Sequence, residues 1–206
     1  MYALKAKLVK ILDFIEDKND VVFVDYPLHH NVGDLLILLG TIDFFKNNSL
    51  KVKSYLSTYN TNIELLSKQI TPKTTILCHG GGNFGDIYPV HQSLREQLIE
   101  SFPNNKIIIL PQTAFFNSME NQKKSQDLFN QHNDIVMFAR DEKTHEIFKQ
   151  LSEKAYLMPD MAHELYGKLP KSNKQEGTLY FLRNDIEKTP LPSMLQQEIQ
   201  NQDRVD

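Results

Sequence analysis

Short apolar runs alternate with amphipathic ones along most of this chain. The apolar runs are Val21 to Pro27, Lys51 to Leu56, Thr74 to His79, Lys106 to Gln112, Asp134 to Arg140 and Lys154 to Pro159. Four of these six hold three or four consecutive apolar residues instead of a two-residue alternation. That is the pattern of strands covered on both faces in a parallel sheet. Helical spacing predicts helices between them, over Leu35 to Lys46, Ile63 to Gln69, Val90 to Phe102, Glu120 to Asn130 and Glu142 to Leu151. Leu4, Leu8, Ile11, Leu12 and Ile15 add an amphipathic N-terminal helix that packs on the domain. The alternation predicts an α/β fold, a doubly wound Rossmann-like parallel sheet.

The pattern fades after residue 166. A first domain is expected over 1–166, a polar linker carrying Gly and Pro over 167–177, and the start of an incomplete second domain over 178–206, opening with a strand at Thr178 to Arg183. The alternative is that this last strand extends the edge of the first sheet.

Composition narrows the function classes. The chain has 206 residues, 40% hydrophobic and 24% charged, with a formal charge of -3. That balance argues against a general binder of nucleic acid or anionic membrane, so an acidic ligand must be met by local positive groups. The longest apolar run, Leu35 to Phe45, is broken by Asp43 and is far short of a membrane span. Lys5, Lys7 and Lys10 interrupt any signal-peptide core. Cys78 is the only cysteine, which excludes an internal disulfide and points to the cytoplasm; in the run Thr74 to His79 it reads as a small buried hydrophobe. No cysteine or histidine spacing suits a metal.

Ligands of open parallel sheets bind outside the carboxyl ends of the strands, so the residues that follow each strand matter most. Two such loops repeat N-x-G-D, as Asn31-Val32-Gly33-Asp34 and Asn83-Phe84-Gly85-Asp86. In each, Asn and Gly suit a turn, and Asp suits either helix capping or a ligand. Gly80, Gly82 and Gly85 also spell G-x-G-x-x-G. A dinucleotide reading is disfavoured: the glycines follow the third strand, and the next strand ends in Leu110-Pro111-Gln112 without the acidic residue that would hold a ribose. What remains is a backbone cradle near a helix start, suited to an anion or to sugar hydroxyls. His29, His30 and His79 lie at strand ends, His91 and Arg95 lie four apart on one helical face, and Arg140 closes the fifth strand.

Asp25-Tyr26-Pro27, His30 to Asp34, Gly80 to Asp86, Leu110 to Thr113, Ala139-Arg140-Asp141 and Pro159 to Ala162, in that order, resemble the polysaccharide pyruvyl transferase family. The resemblance implies transfer of the three-carbon unit of phosphoenolpyruvate to two hydroxyls of a sugar as a ketal, with release of phosphate. It also implies a GT-B-like architecture of two Rossmann-like domains, with no cofactor beyond phosphoenolpyruvate as donor substrate. The acceptor is a saccharide, lipid-linked or free, and a C-terminal domain or partner chain completes the cleft. By the same resemblance Asn31, Gly33, Gly81, Gly82, Asn83 and Gly85 line the acceptor side, Asp34 or Asp86 is the base, His30 is a proton donor, and Arg140 meets a carboxylate or phosphate. Arg183 and Arg204 are the basic residues of the incomplete domain. The alternatives are a saccharide-binding domain without turnover and, less favoured, a nicotinamide-dependent oxidoreductase.

Overall fold

Each apolar strand buries its successive residues on opposite faces, which is why its sequence shows no alternation. Val22 and Val24 join one core and Val21 and Phe23 the other; Ile107 and Ile109 divide from Ile108 and Leu110 in the same way. In the computed structural model, which describes residues 2–168, 170 and 190–200, these strands form a seven-stranded sheet in which every pairing is parallel. The strands are β1 (Val21–Val24), β2 (Val52–Leu56), β3 (Thr75–Cys78), β4 (Gly81–Gly85), β5 (Lys106–Phe115), β6 (Ile135–Ala139) and β7 (Ala155–Leu157).

The helices are α1 (Tyr2–Leu8), α2 (Val32–Asn47), α3 (Ile63–Ser67), α4 (Pro89–Ser101), α5 (Met119–Phe129) and α6 (Glu142–Leu151), with 3-10 turns over Val9–Phe14 and Met161–Leu165. One core holds Leu66, Leu94, Leu98, Phe129 and Phe148 from α3 to α6. The opposite core holds Leu8, Ile11, Ile37, Phe44, Phe45 and Met161 from α1, α2 and the two 3-10 turns. The N-terminal helix is therefore shorter than its spacing suggests, finishing as a 3-10 turn that still buries Ile11. Lys5 fastens α1 to the far end of the domain, pairing with Glu164 at 3.2 Å.

The chain divides into two compact units, Met1–Leu169 and Pro170–Asp206. In the second, the described element is α7 (Ser193–Gln200). The expected strand at Thr178 to Arg183, most of the linker, and Arg204 lie outside the described residues. No helix among the described residues is long and apolar enough to cross a membrane.

Strand order is β2-β1-β3-β5-β6-β7, with β4 also paired to β5. The chain steps one way from β1 to β2, then returns past β1 to β3 and continues. The switch point, where loops diverge and leave a crevice, lies between β1 and β3, the flavodoxin-like arrangement and not the dinucleotide order 3-2-1-4-5-6.

The glycine segment departs from expectation. It is a strand, not a cradle at a helix start. β3 pairs with the first half of β5 (Cys78 opposite Ile109), and β4 with the second half (Gly81 opposite Gln112, Gly85 opposite Phe115). The backbone N–H of Gly85 donates to Gln92 Oε1 at 3.1 Å and that of Asp86 to the Phe115 carbonyl at 3.2 Å. Those two groups are spent on the protein. Gly85 has φ 108°, and a Cβ there would stand 1.9 Å from the Phe115 oxygen. Gly85→Ala should therefore lower unfolding stability by roughly 2–4 kcal/mol, combining a disallowed φ with a backbone clash. Gly33→Ala, at an exposed site where the nearest neighbour is the Asn31 side chain at 3.2 Å, should shift it by less than about 1 kcal/mol. Urea titration of the two variants checks the contrast.

Candidate active site

Asp25 is the first residue beyond β1. It is 1% exposed and takes φ 68°, a left-handed conformation that Asp tolerates better than most side chains. Its two carboxylate oxygens face two residues of α4: Oδ1 lies 2.6 Å from His91 Nδ1, and Oδ2 accepts from Arg95 Nη2 at 2.7 Å. Arg95 is fully buried. A buried guanidinium is tolerable only with a charge partner and satisfied donors. Besides Asp25, Arg95 donates through Nη1 to the Asn83 carbonyl at 3.1 Å and through Nη2 to the Asn83 side chain, and its plane lies 5.4 Å from the Phe84 ring centroid. Gln112, from β5, donates to Asn83 Oδ1 at 3.1 Å and to the His79 carbonyl at 2.8 Å. The ends of β1, β3, β4 and β5 are thus tied through one buried polar network.

His79 sits within it, 1% exposed, its ring edge-on to Phe23 at 5.7 Å. Among the described residues neither ring nitrogen has a hydrogen-bond partner, and Arg95 Nε and Gln112 Oε1 share that state. Burial pushes the imidazole down to about 3; the Asp25 charge opposes the shift, and Arg95, His91 and His29 reinforce it.

The first N-x-G-D segment meets the glycine strand at Gly81, ahead of the second N-x-G-D. Asn31 caps α2, its Oδ1 accepting from the Gly33 N–H at 2.9 Å. Asp34 therefore falls in the first turn of α2, where its charge suits the helix N-terminus. Its Oδ2 faces His29 Nε2 at 3.6 Å, and its Oδ1 lies 3.2 Å from the position a Cβ on Gly81 would take. Gly81 has φ 125°, and the space beside it belongs to that carboxylate. One residue on, a Cβ on Gly82 would lie 3.3 Å from Arg140 Nη2. Asp34 and Arg140 thus flank Gly81-Gly82. Arg140 is fixed by its Nε, which donates to Thr113 Oγ1 at 2.7 Å, and by its Nη1, which pairs with Asp160 at 2.6 Å. Asp160 caps the second 3-10 turn through Ala162 N–H.

A profile of the polysaccharide pyruvyl transferase family matches residues 31–204. The chain belongs to that family. EpsO of Bacillus subtilis (strain 168), whose name assigns it provisionally to the pyruvyl transferases, is 35% identical over 91% of this chain and 58% of its own length. General stress protein 30 of the same strain is 30% identical over 84% of this chain and 53% of its own. Pyruvyl transferase 1 of Schizosaccharomyces pombe is 27% identical over 61% of this chain. An uncharacterised Klebsiella pneumoniae protein of known structure shares the fold, with a TM-score of 0.63 at 24% identity over 91% of this chain and 67% of that one. The chain spans 58% and 53% of the length of the two Bacillus relatives and 32% of the Schizosaccharomyces one.

The family's ordered blocks all converge on this crevice, but the candidates within them divide. Asn31, Gly33, Asp34, Gly81, Gly82, Asn83 and Arg140 come together around it. Asp86, one of the two candidates for the base, is engaged with the start of α5. It accepts from the backbone N–H groups of Asn117 and Ser118 at 2.7 and 2.9 Å and from the side chains of Asn117 and Asn121 at 3.2 and 3.1 Å. Burial alone raises its pKa, but these hydrogen bonds outweigh it and hold the carboxyl below its ordinary value. A carboxylate so engaged fastens the start of α5 and is poorly placed to take a proton. Gly85 is a structural residue of the β4–β5 pairing. His30 is exposed, and no hydrogen bond or ion pair engages its ring among the described residues; its neighbour His29 is the histidine beside Asp34. Among the described residues no cluster of three or more His, Cys, Asp or Glu could hold a metal.

Asp25, Gln112 and the joint use of His91 and Arg95 were not among the expected site residues. The i, i+4 spacing of His91 and Arg95 on α4 was the available signal.

Two outcomes follow from the buried network. Arg95→Met should cost about 3–5 kcal/mol in urea unfolding, because it strands the Asp25 carboxylate, and adding Asp25→Asn should recover part of that loss. His79 sets an acid limit. Its folded pKa, about 3, lies below the ordinary 6.5, so below 6.5 the unfolded chain takes up a proton that the folded chain refuses. The stability is complete above 6.5 and is lost progressively as pH falls towards 3, by about 2 kcal/mol at pH 5. A His79→Gln variant should lack that part of the slope when unfolding is compared between pH 7 and 5.

Proposed function

We propose that this chain takes part in transferring the pyruvyl group of phosphoenolpyruvate to two hydroxyls of a saccharide, forming a ketal and releasing phosphate. The observation that carries the reading is the placement of Asp34 and Arg140 on either side of Gly81-Gly82 at the topological switch point of a pyruvyl transferase fold. A polyhydroxyl ligand needs donors and acceptors within one contact distance of bare backbone, and glycines permit that approach. In this reading Asp34 accepts from acceptor hydroxyls, Arg140 donates to acceptor oxygens through the edge turned to Gly82, and His30, exposed at the mouth, supplies the proton to C3 of the donor. A second domain or a partner chain of GT-B type supplies the wall that holds the donor phosphate. The free, buried thiol of Cys78 fits a reducing compartment, and the cytoplasm is the proposed site of action.

The test is incubation of the chain with phosphoenolpyruvate and a panel of lipid-linked and nucleotide sugars, following phosphate release and the mass of the acceptor. Release coupled to pyruvylation of one acceptor supports the reading. Saccharide binding without release, by this chain and by a version extended to the length of its relatives, would reduce the site to a binding module. With an acceptor in hand, Asp34→Asn should lower kcat/KM by about 10- to 100-fold, since a hydrogen bond to a charged group contributes about 1.5–3 kcal/mol. Its unfolding midpoint should barely move, as the helix-terminus charge contributes under about 1 kcal/mol.

A further inference from the structure

The buried network ends at a side chain that nothing above uses. Asp25 turns Oδ1 to His91 Nδ1 at 2.6 Å. A carboxylate only accepts hydrogen bonds, so the proton of that contact belongs on Nδ1. The neutral ring then carries its lone pair on Nε2. Asp25 is 1% exposed and the His91 side chain 20% exposed, and no described hydrogen bond engages Nε2. The ring is held from inside by a fixed acceptor while part of it reaches solvent. Three further features mark the position. Asp25 holds its left-handed backbone in a buried place, the kind of outlier that clusters at functional sites. Arg95 fixes the other carboxylate oxygen, so Asp25 cannot swing away from His91. His91 and His29, the latter beside Asp34, both act electrostatically on the buried His79.

We propose that Asp25 and His91 form a proton-transfer dyad, with His91 Nε2 taking the proton of the attacking acceptor hydroxyl. This rests on the pyruvyl-transfer reading above. As the hydroxyl oxygen forms its bond to C2 of phosphoenolpyruvate, its proton passes to Nε2 and the C2=C3 electron pair takes a proton at C3 from His30. When the second hydroxyl adds, the bond from C2 to the phosphate oxygen breaks with its pair, and phosphate leaves carrying the second hydroxyl proton. His91 returns its proton to solvent as His30 regains one, so the step is neutral overall. Asp25 is the positioning residue: it selects the tautomer and holds the ring. The groups facing His91 are Asp25 and, behind it, Arg95; the Tyr88 ring stands edge-on at 6.3 Å, and the His91 charge acts on His79.

The experiment has one arm that needs no turnover. Nitrogen-15 spectra of histidine-labelled wild-type chain should show His91 with its proton on Nδ1, and diethyl pyrocarbonate should modify His91, located by mass spectrometry. In Asp25→Asn the amide can donate to Nδ1, moving the ring proton to Nε2, so modification should slow several-fold. A wild-type His91 protonated on Nε2, or one that resists the reagent, overturns the dyad whether or not Asp25→Asn folds. In the second arm, His91→Gln should lower kcat about 10²- to 10⁴-fold with phosphoenolpyruvate KM little changed and the unfolding midpoint retained, and imidazole should partly restore His91→Ala. Wild-type turnover in His91→Gln overturns the proposal and leaves the pyruvyl-transfer reading standing. Absence of turnover in the wild-type chain and its extended version counts against that reading instead, and the spectra then decide the dyad alone.

Discussion

A fully buried arginine constrains everything around it. The Arg95 guanidinium has left water entirely, and the cost of that transfer is offset only by a carboxylate and by accepting oxygens in fixed positions. Asp25 supplies the carboxylate from the end of β1, and Asn83 supplies a carbonyl and a side-chain oxygen from β4. The left-handed backbone at Asp25 follows, because an extended residue after Val24, which faces α4, would turn its side chain to the opposite face of the sheet. So does the position of α4, whose first two turns must bring His91 and Arg95 over the same carboxylate. Remove the pair, and strand end, glycine strand and helix lose their common anchor.

The anchor explains how so glycine-rich a segment can be a strand. Gly80, Gly81 and Gly82 bring no side chains to pack, and glycine weakens strand interiors. β4 is held from one side by the extended second half of β5 and from the other by Arg95. Phe84 then plugs the core, with Phe148 at 4.9 Å and Phe129 at 5.6 Å. What the glycines provide is proximity: the Asp34 carboxylate and the Arg140 guanidinium lie 3.2 and 3.3 Å from where Cβ atoms of Gly81 and Gly82 would be.

β1, β3, β5 and β6 were legible in the sequence because burial on both faces leaves continuous apolar runs, while β2, half-exposed in alternation, and the short β7 were read from weaker runs. β4 was not, since Gly81 to Gly85 has one apolar side chain and no β-branched residue. The length of β5 was hidden for a related reason: Pro111, Gln112 and Thr113 interrupt its apolar run although the backbone continues to Phe115. At the site, local signals succeeded. Asn31, Gly33 and Asp34 lie within one helix start, and their meeting with Gly81 followed from two loops leaving neighbouring parallel strands. The failures were long-range. Asp25 and Arg95 are 70 residues apart, and nothing in either neighbourhood names its partner. Asp86 reads as a base or a cap from its own segment, and what decides it is Asn117, Ser118 and Asn121, more than 30 residues on.

Charge balance in the crevice bears on which substrate it meets. Asp25 is paired with Arg95 and Arg140 with Asp160, and Asp34 stands 3.6 Å from the His29 ring. Burial above all, helped by the Arg95 charge, keeps His79 from taking a proton. Such a surface offers donors and acceptors side by side, with little surplus positive potential. A phosphate or carboxylate, which presents only acceptors and net negative charge, gains most from unpaired cations and free N–H groups. A sugar hydroxyl is donor and acceptor together, and its ring can be gripped by alternating carboxylate and guanidinium edges without net charge. The arrangement therefore suits a polyhydroxyl ligand better than a small anion.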